Sequence, residues 1–260
     1  MTLHFYKYQG TGNDFVIMDN RDGRYDALTN QQVHDLCHRR FGIGADGLML
    51  LNTQPGYDFG MKYYNADGNE SSMCGNGGRC LTAFARKMGL TQEKLRFLAV
   101  DGPHEATMTG DSWVNLKMQD VDSVEHGPLY FYLNTGSPHF VKFVNDVQSL
   151  DVFTEGRQIR YNDRFAAEGT NVNFVQEQDK GIFVRTYERG VEDETYSCGT
   201  GVTAAALTAA GPETKEYRIP VQTLGGNLEV RFTKTGERTF QDIWLCGPAT
   251  LVFEGQVTIN

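Results

Sequence analysis

The chain has 260 residues, 40% of them hydrophobic and 22% charged, with a formal net charge of −9. That size allows one large domain or two lobes that each bury a core. The acidic balance and the absence of a basic cluster argue against nucleic-acid binding. No stretch approaches the ~18 apolar residues of a membrane span, and Met1 to Gly10 does not read as a signal peptide, so a cytoplasmic location is expected. Five cysteines, at 37, 74, 80, 198 and 246, are an odd number and argue against a disulfide framework in such a compartment.

Short runs rich in Val, Phe, Tyr and Thr read as strands: Phe15–Asp19, Gly47–Leu51, Phe140–Val144 and Gly181–Tyr187. Helical patterns are fewer. Thr29 to Arg40 reads as a helix, with Thr29 as N-cap and Gln32 completing a capping box. Arg79 to Met88 is a second, stopped by Gly89. A short helix is expected near Asp146 to Leu150. Thr200 to Ala210 is an Ala-rich helix stopped by Gly211-Pro212; being apolar all round, it belongs inside a core.

Two of these helices open alike. One follows Cys74-Gly-Asn-Gly and the other Cys198-Gly-Thr-Gly, 124 residues apart. Repetition at about half the chain length points to a duplicated pair of lobes, although four matching positions could also coincide by chance. The expected fold is α+β: two similar lobes, each a curved, mostly antiparallel sheet around a central helix, with the active site in the cleft between them. The first lobe is expected over residues 1–119 and the second over 120–248.

Each cysteine of the pair would sit at a helix N-terminus, where unpaired N–H groups and the helix dipole favour negative charge. A free thiol has a pKa of about 8.5, and such a position lowers it. The glycines leave the backbone open to a close approach by an anion. The pair thus offers two acid/base thiols and two cradles for a carboxylate; ordinary buried cysteines are the structural alternative. The run Tyr64 to Ser72 is either a plain loop or a set of amides and hydroxyls at the mouth of a site. Glu188 and Arg189 are either an exposed ion pair or a charged pair reaching a substrate. His139, beside Pro138 in a turn between strands, is either structural or a loop-borne site residue. Gly42-Ile-Gly-Ala-Asp-Gly47 has the glycine spacing of a dinucleotide fingerprint, but the order helix–turn–strand is the wrong one. His34, Cys37 and His38 share a helix face, without complementary metal ligands elsewhere.

Taken together, Gly10-Thr-Gly-Asn-Asp-Phe15, Arg40-Phe-Gly-Ile-Gly-Ala-Asp46, Tyr64-Asn-Ala-Asp-Gly68, Cys74 to Cys80, Pro138-His139, Asn171-Val-Asn-Phe174, Tyr187-Glu-Arg-Gly190 and Cys198-Gly-Thr-Gly201 resemble the diaminopimelate epimerase family. The motifs run in the family's order over most of the chain. The resemblance implies interconversion of LL- and meso-2,6-diaminopimelate on the route to lysine and cell-wall precursors, with no pyridoxal phosphate and no metal. It implies that Cys74 and Cys198 are the two acid/base residues. Asn13, Asn65, Gly75, Asn76, Asn171, Glu188, Arg189, Gly199 and Thr200 would bind substrate, with His139 and Glu188 assisting the cysteines. It also implies that a last strand, within 249–260, returns to the first lobe. Three positions depart from the common pattern: Ser137 where Asn is frequent, Gly47 where Gln is frequent, and a stretch at 190–197 that is one residue longer. A related two-cysteine racemase for proline or hydroxyproline, a thiol redox protein and a non-catalytic binding module are the rival readings. The oligomeric state stays open at this stage, a homodimer included.

Overall fold

A computed structural model describes residues 1–259; Asn260, the end of the expected returning strand, lies outside the described residues. In chain order the elements are β1 (Thr2–Gly10), β2 (Asn13–Asp19), α1 (Asn30–Cys37), β3 (Gly47–Asn52), β4 (Phe59–Asn65), β5 (Glu70–Ser71), α2 (Gly75–Lys87), β6 (Lys94–Ala99), β7 (Gly102–Thr109) and β8 (Trp113–Lys117). There follow β9 (Glu125–His126), β10 (Phe131–Asn134), β11 (Pro138–Phe143), α3 (Val152–Arg160), β12 (Asn171–Gln178), β13 (Gly181–Glu188), β14 (Asp193–Thr195), α4 (Gly199–Thr208), β15 (Glu216–Thr223), β16 (Gly226–Lys234), β17 (Phe240–Pro248) and β18 (Thr250–Thr258). The chain divides into two compact units, Met1–Leu116 with the C-terminal run from Gly247, and Lys117–Cys246.

The first unit is built from the pairs β18–β1, β1–β2, β3–β4, β4–β5, β6–β7 and β7–β8, all antiparallel, with β2–β3 and β4–β6 parallel. One face of this sheet holds α1, where Val33, Leu36 and Cys37 join Val16, Met18, Leu48, Leu50 and Tyr64 in a core. The other face wraps α2, which touches β1, β2, β3 and β7 and is buried from Gly75 to Ala85. A helix so enclosed needs small residues where it meets the sheet. A Cβ on Gly77 would stand 2.2 Å from the Met49 Cε.

The second unit repeats this plan. Its antiparallel pairs are β9–β10, β10–β11, β12–β13, β13–β14, β15–β16 and β16–β17, and its parallel pairs are β11–β12 and β13–β15. α3 covers one face over Val172, Phe174, Phe183 and Tyr187, and α4 lies buried on the other. The equivalence extends to single residues. Phe15 pairs with Gly47, and Gly47 with Asn65; in the second unit His139 pairs with Asn171, and the same register sets Asn171 opposite Glu188. Ser71 and Thr195 take equivalent places three residues before Cys74 and Cys198.

The helices differ in detail from the expected ones. α1 has the Thr29–Gln32 capping box but stops at Cys37 rather than Arg40. The His38 imidazole accepts from the Arg40 and Phe41 amides and turns the chain there. α2 and α4 begin at Gly75 and Gly199, directly after the cysteines. The short helix expected near Asp146 to Leu150 is absent. The Asp146 carboxylate takes the Gln148 and Ser149 amides instead, a local turn that competes with a helix. The real helix, α3, starts after Asp151, whose side chain caps the Thr154 amide.

Candidate active site

Each cysteine is the N-cap of its helix, in extended backbone, at φ −99° for Cys74 and −109° for Cys198. The first intrahelical donors are the amides of Gly78 and Val202, to the Cys74 and Cys198 carbonyls. The N–H groups of Gly75, Asn76, Gly199 and Thr200 lie ahead of them and emerge at the helix ends, where they suit an anion. The remaining thiols do not head a helix, and Cys37 and Cys80 lie deeper than Cys198, itself buried, or the half-buried Cys74. Desolvation pushes both Cys37 and Cys80 up to about 12, so both stay protonated. Cys246 is buried.

In the first unit the turn before Asn13 is decisive. Thr11 and Gly12 both have positive φ, 51° and 87°, and form the two-residue link of the β1–β2 hairpin. This sets Asn13 at the head of β2. Its Oδ1 accepts from the Cys74 thiol at 3.5 Å and from Asn76 Nδ2 at 3.4 Å, while its Nδ2 donates to Asp46. Behind Asn76 lies Arg79, fully buried, which donates to Asn76 Oδ1 at 3.0 Å and to the Thr11 hydroxyl at 3.3 Å. Asp46 is itself held by Arg39, which also binds Asp14. Burial opposes ionisation of Asp14, but hydrogen bonds and charge from Arg39 and Lys7 outweigh it and hold the carboxyl at about 2. Asn65 ends β4, directly opposite Gly47. Asn13, Cys74, Gly75 and Asn76 are therefore brought together, with Asn65 at the adjoining strand end.

In the second unit Asn171 heads β12. Its Nδ2 donates to the Ser137 hydroxyl at 2.9 Å and the Pro138 carbonyl at 3.0 Å, and its Oδ1 accepts the Arg189 amide at 2.9 Å. The Arg189 guanidinium reaches Ser137 Oγ and the Glu168 carbonyl. Ser137, shorter than the frequent Asn, thus serves as an anchor for both groups. Glu188, the last residue of β13, accepts from the Thr195 hydroxyl at 2.8 Å. The Cys198 sulfur lies 3.5 Å from the Thr200 hydroxyl. The longer 190–197 stretch turns back from β13 and supplies β14, which closes a hairpin against it. Glu192, at φ 58°, ties it down by accepting from Tyr187 and from the Gly190 amide, and by pairing with Arg160 at 3.3 Å.

His139 is fully buried on the α4 face of the sheet. Desolvation, helped by the charge of Arg189, lowers its pKa to about 3 against the opposing hydrogen bond from Asn173, so the ring is neutral. Asn173 and Thr186 complete a buried polar row with it, and sequence reasoning assigned neither a role. The signal was present: Asn171 and Asn173 alternate with Val172 and Phe174, which puts both amides on one face. Arg79 was equally legible only as part of a motif. The Gly47 position is filled by its neighbours, since a Cβ there would lie 2.5 Å from both the Tyr63 ring and the Tyr64 carbonyl. A concavity of about 510 Å³ lined by Tyr6, Arg21, Arg24 and Met88 among others contains none of these site residues.

The fold is shared with solved structures of other proteins. A phenazine biosynthesis protein of the PhzF family from Bacillus anthracis superposes with a TM-score of 0.73 at 15% identity, covering 100% of both chains. A probable proline racemase from Agrobacterium radiobacter gives 0.69 at 15%, covering 99% of this chain and 93% of that one. Sequence narrows the group. The diaminopimelate epimerase family profile matches residues 5–124 and 131–252. Proteins named diaminopimelate epimerase from Flavobacterium psychrophilum and Chlorobaculum tepidum are 48% and 44% identical, covering 97% and 96% of this chain and 99% of each relative. The chain belongs to the diaminopimelate epimerase family and is an isomerase. Among the described residues, no helix is long and apolar enough to cross a membrane.

Proposed function

We propose that this protein interconverts LL- and meso-2,6-diaminopimelate without a cofactor, with Cys74 and Cys198 as the two acid/base groups. One cysteine, as thiolate, removes the α-proton; the other, as thiol, returns a proton to the opposite face. The roles exchange with reaction direction. The observation that carries this reading is the matched placement of both thiols, each the N-cap of a buried helix in register-equivalent halves of a duplicated fold. As the α-proton leaves, charge flows into the α-carboxylate. The N–H groups of Gly75, Asn76, Gly199 and Thr200 stabilise it, and losing one such donor costs about 3 kcal/mol. Asn13, Asn65, Asn171, Glu188 and Arg189 hold the substrate, whose distal ammonium and carboxylate suit amides, a carboxylate and a guanidinium. His139 and Glu188 assist the cysteines.

The substrate is a small molecule rather than nucleic acid or membrane, and the protein works in the cytoplasm. The net charge of −9 supports this. Leu251, Val252 and Phe253, exposed on β18, support a homodimer, which sedimentation of wild type against Phe253→Glu tests.

Purified protein in heavy water, given diaminopimelate and no cofactor, should place deuterium at the α-carbon. Cys74→Ala and Cys198→Ala should each abolish turnover; full turnover in either excludes the two-base scheme. Proline and hydroxyproline, offered in parallel, should not exchange.

A further inference from the structure

The two halves of the duplication differ in one respect that bears on the chemistry. Beneath α2, Phe15, Met49 and Tyr63 form a diagonal row on one face of β2, β3 and β4, Met49 opposite Tyr63 and Phe15 opposite Gly47. The equivalent row beneath α4 is His139, Asn173 and Thr186. An apolar row in one half is a polar row in the other, and all three polar residues are buried, with His139 and Asn173 fully so.

The hydrogen bonds of this row have only one consistent direction. The Phe140 carbonyl can only accept, and one amide atom of Asn173 lies 3.0 Å from it; that atom must be Nδ2. The other amide atom is then Oδ1, and it accepts from the Thr186 hydroxyl at 3.0 Å. Nδ2 has a second hydrogen, which points at His139 Nδ1, 3.1 Å away. Nδ1 must therefore be the acceptor, and the ring proton sits on Nε2. Nε2 meets no acceptor among the described residues although it is fully buried. Such a group is costly to leave unpaired and is retained where it has work to do. The Cys198 motif also makes room for the row: a Cβ on Gly201 would come 2.3 Å from Asn173 Oδ1.

We infer that Asn173 is a positioning residue: it locks His139 as the Nε2–H tautomer, leaving one N–H on the α4 face as a donor for the negative charge that develops when the α-proton leaves. This rests on the epimerase reading above. Of the charged groups, Arg189 acts on the ring; Glu188 follows Thr186 on the same face of β13, and Cys198 caps the helix packed on that face. With both its amide hydrogens committed, Asn173 cannot rotate to offer Oδ1 to the imidazole without losing its bonds to Phe140 and Thr186.

The test is ring-nitrogen NMR on histidine-labelled protein, with His139 assigned by His139→Gln, alongside steady-state kinetics. Wild type should carry the His139 proton on Nε2 at pH 7. Asn173→Asp sets a carboxylate opposite Nδ1 and should move the proton there. Its kcat and kcat/KM should fall together by at least tenfold, a wrong-tautomer effect known from other active sites, with KM nearly unchanged. The acid side of its pH profile should gain an ionisation, because the carboxylate raises the imidazole pKa. Asn173→Ser, which cannot reach the ring, should lose kcat likewise while keeping the wild-type circular dichroism; it decides the matter if Asn173→Asp does not fold. A wild-type ring protonated on Nδ1, or wild-type kcat in a folded variant, overturns the inference. An inactive wild type with Nε2–H instead sinks the epimerase reading, so the two failures are distinguishable.

Discussion

Acidification should destabilise this protein well above the range in which carboxylates titrate, and His139 is the reason. Burial holds the ring neutral with a pKa of about 3, against an ordinary value of 6.5. The unfolded chain therefore binds a proton below pH 6.5 that the folded chain refuses until about pH 3. In that window the unfolded state holds more protons, so stability falls as pH falls. The limiting slope is about 1.4 kcal/mol per pH unit. Between pH 7.5 and 5.0 the integrated loss is about 2 kcal/mol, roughly a 30-fold change in the folding constant. Asp14 acts in a lower window: held at about 2, it contributes stability above its unfolded pKa that is lost as pH falls toward 2. Urea denaturation at fixed pH values from 7.5 to 5.0 should show the loss in wild type. In His139→Gln, which cannot protonate, the pH dependence over that interval should shrink by most of that amount, whatever the variant's stability at pH 7.5. Equal slopes in the two proteins would show that His139 is not buried neutral.

Substitutions at glycines should rank by what their Cβ meets. Gly201→Ala drives a Cβ into the carbonyl oxygen of the buried Asn173, whereas Gly77→Ala meets the flexible end of Met49. Gly201→Ala should lose more stability, by about 1–3 kcal/mol, and more kcat, read by urea melts and exchange kinetics; equal effects would remove the packing role of the second motif glycine. Gly47→Gln should destabilise by a similar ~1–3 kcal/mol, and adding Tyr63→Ala should restore only part of this in the same melts, because the Tyr64 carbonyl still stands 2.5 Å from the new Cβ. Arg79→Ala removes the hydrogen bonds that a fully buried guanidinium gives to Asn76 Oδ1 and the Thr11 hydroxyl and should cost about 1–3 kcal/mol in chemical denaturation, with lower kcat as Asn76 loosens against Asn13.

Much of this site could be read in the sequence because its chemistry lies in short contiguous motifs. The two Cys-Gly-x-Gly frames marked the duplication and singled out Cys74 and Cys198 as candidates at helix N-termini, although α2 starts at Gly75, four residues before the expected Arg79. The capping box at Thr29 fixed the start of α1. What escaped were interactions that depend on register between distant strands. Asn173 is a plain strand residue until β11 and β13 bring His139 and Thr186 to it, 34 and 13 residues away. Gly47 looks like a lost side chain until β4 places Tyr63 over it. The failed helix at Asp146 has a local cause: an Asp two residues before Gln148 supports a side-chain turn as readily as a helix, and the backbone contacts decide between them.

The two halves share a backbone plan but not an electrostatic one, and the proposed reaction accounts for both features. A two-base epimerisation needs two thiols held alike, which a duplicated helix N-terminus supplies. It also needs one thiolate and one thiol at any moment, which a perfectly symmetric site does not specify. Beneath α2, Asn13 offers its carbonyl oxygen to the Cys74 thiol, a contact that suits a protonated sulfur. Near Cys198, a threonine hydroxyl lies within contact of the sulfur, and a hydroxyl can donate to a thiolate as well as accept from a thiol. The polar row of His139, Asn173 and Thr186 is confined to that same half. On these contacts we expect the hydroxyl-partnered Cys198 to be the more reactive of the two thiols. Alkylation by iodoacetamide near neutral pH, read by peptide mass spectrometry, should therefore modify Cys198 faster than Cys74 despite its greater burial; faster labelling of Cys74 would reverse the assignment.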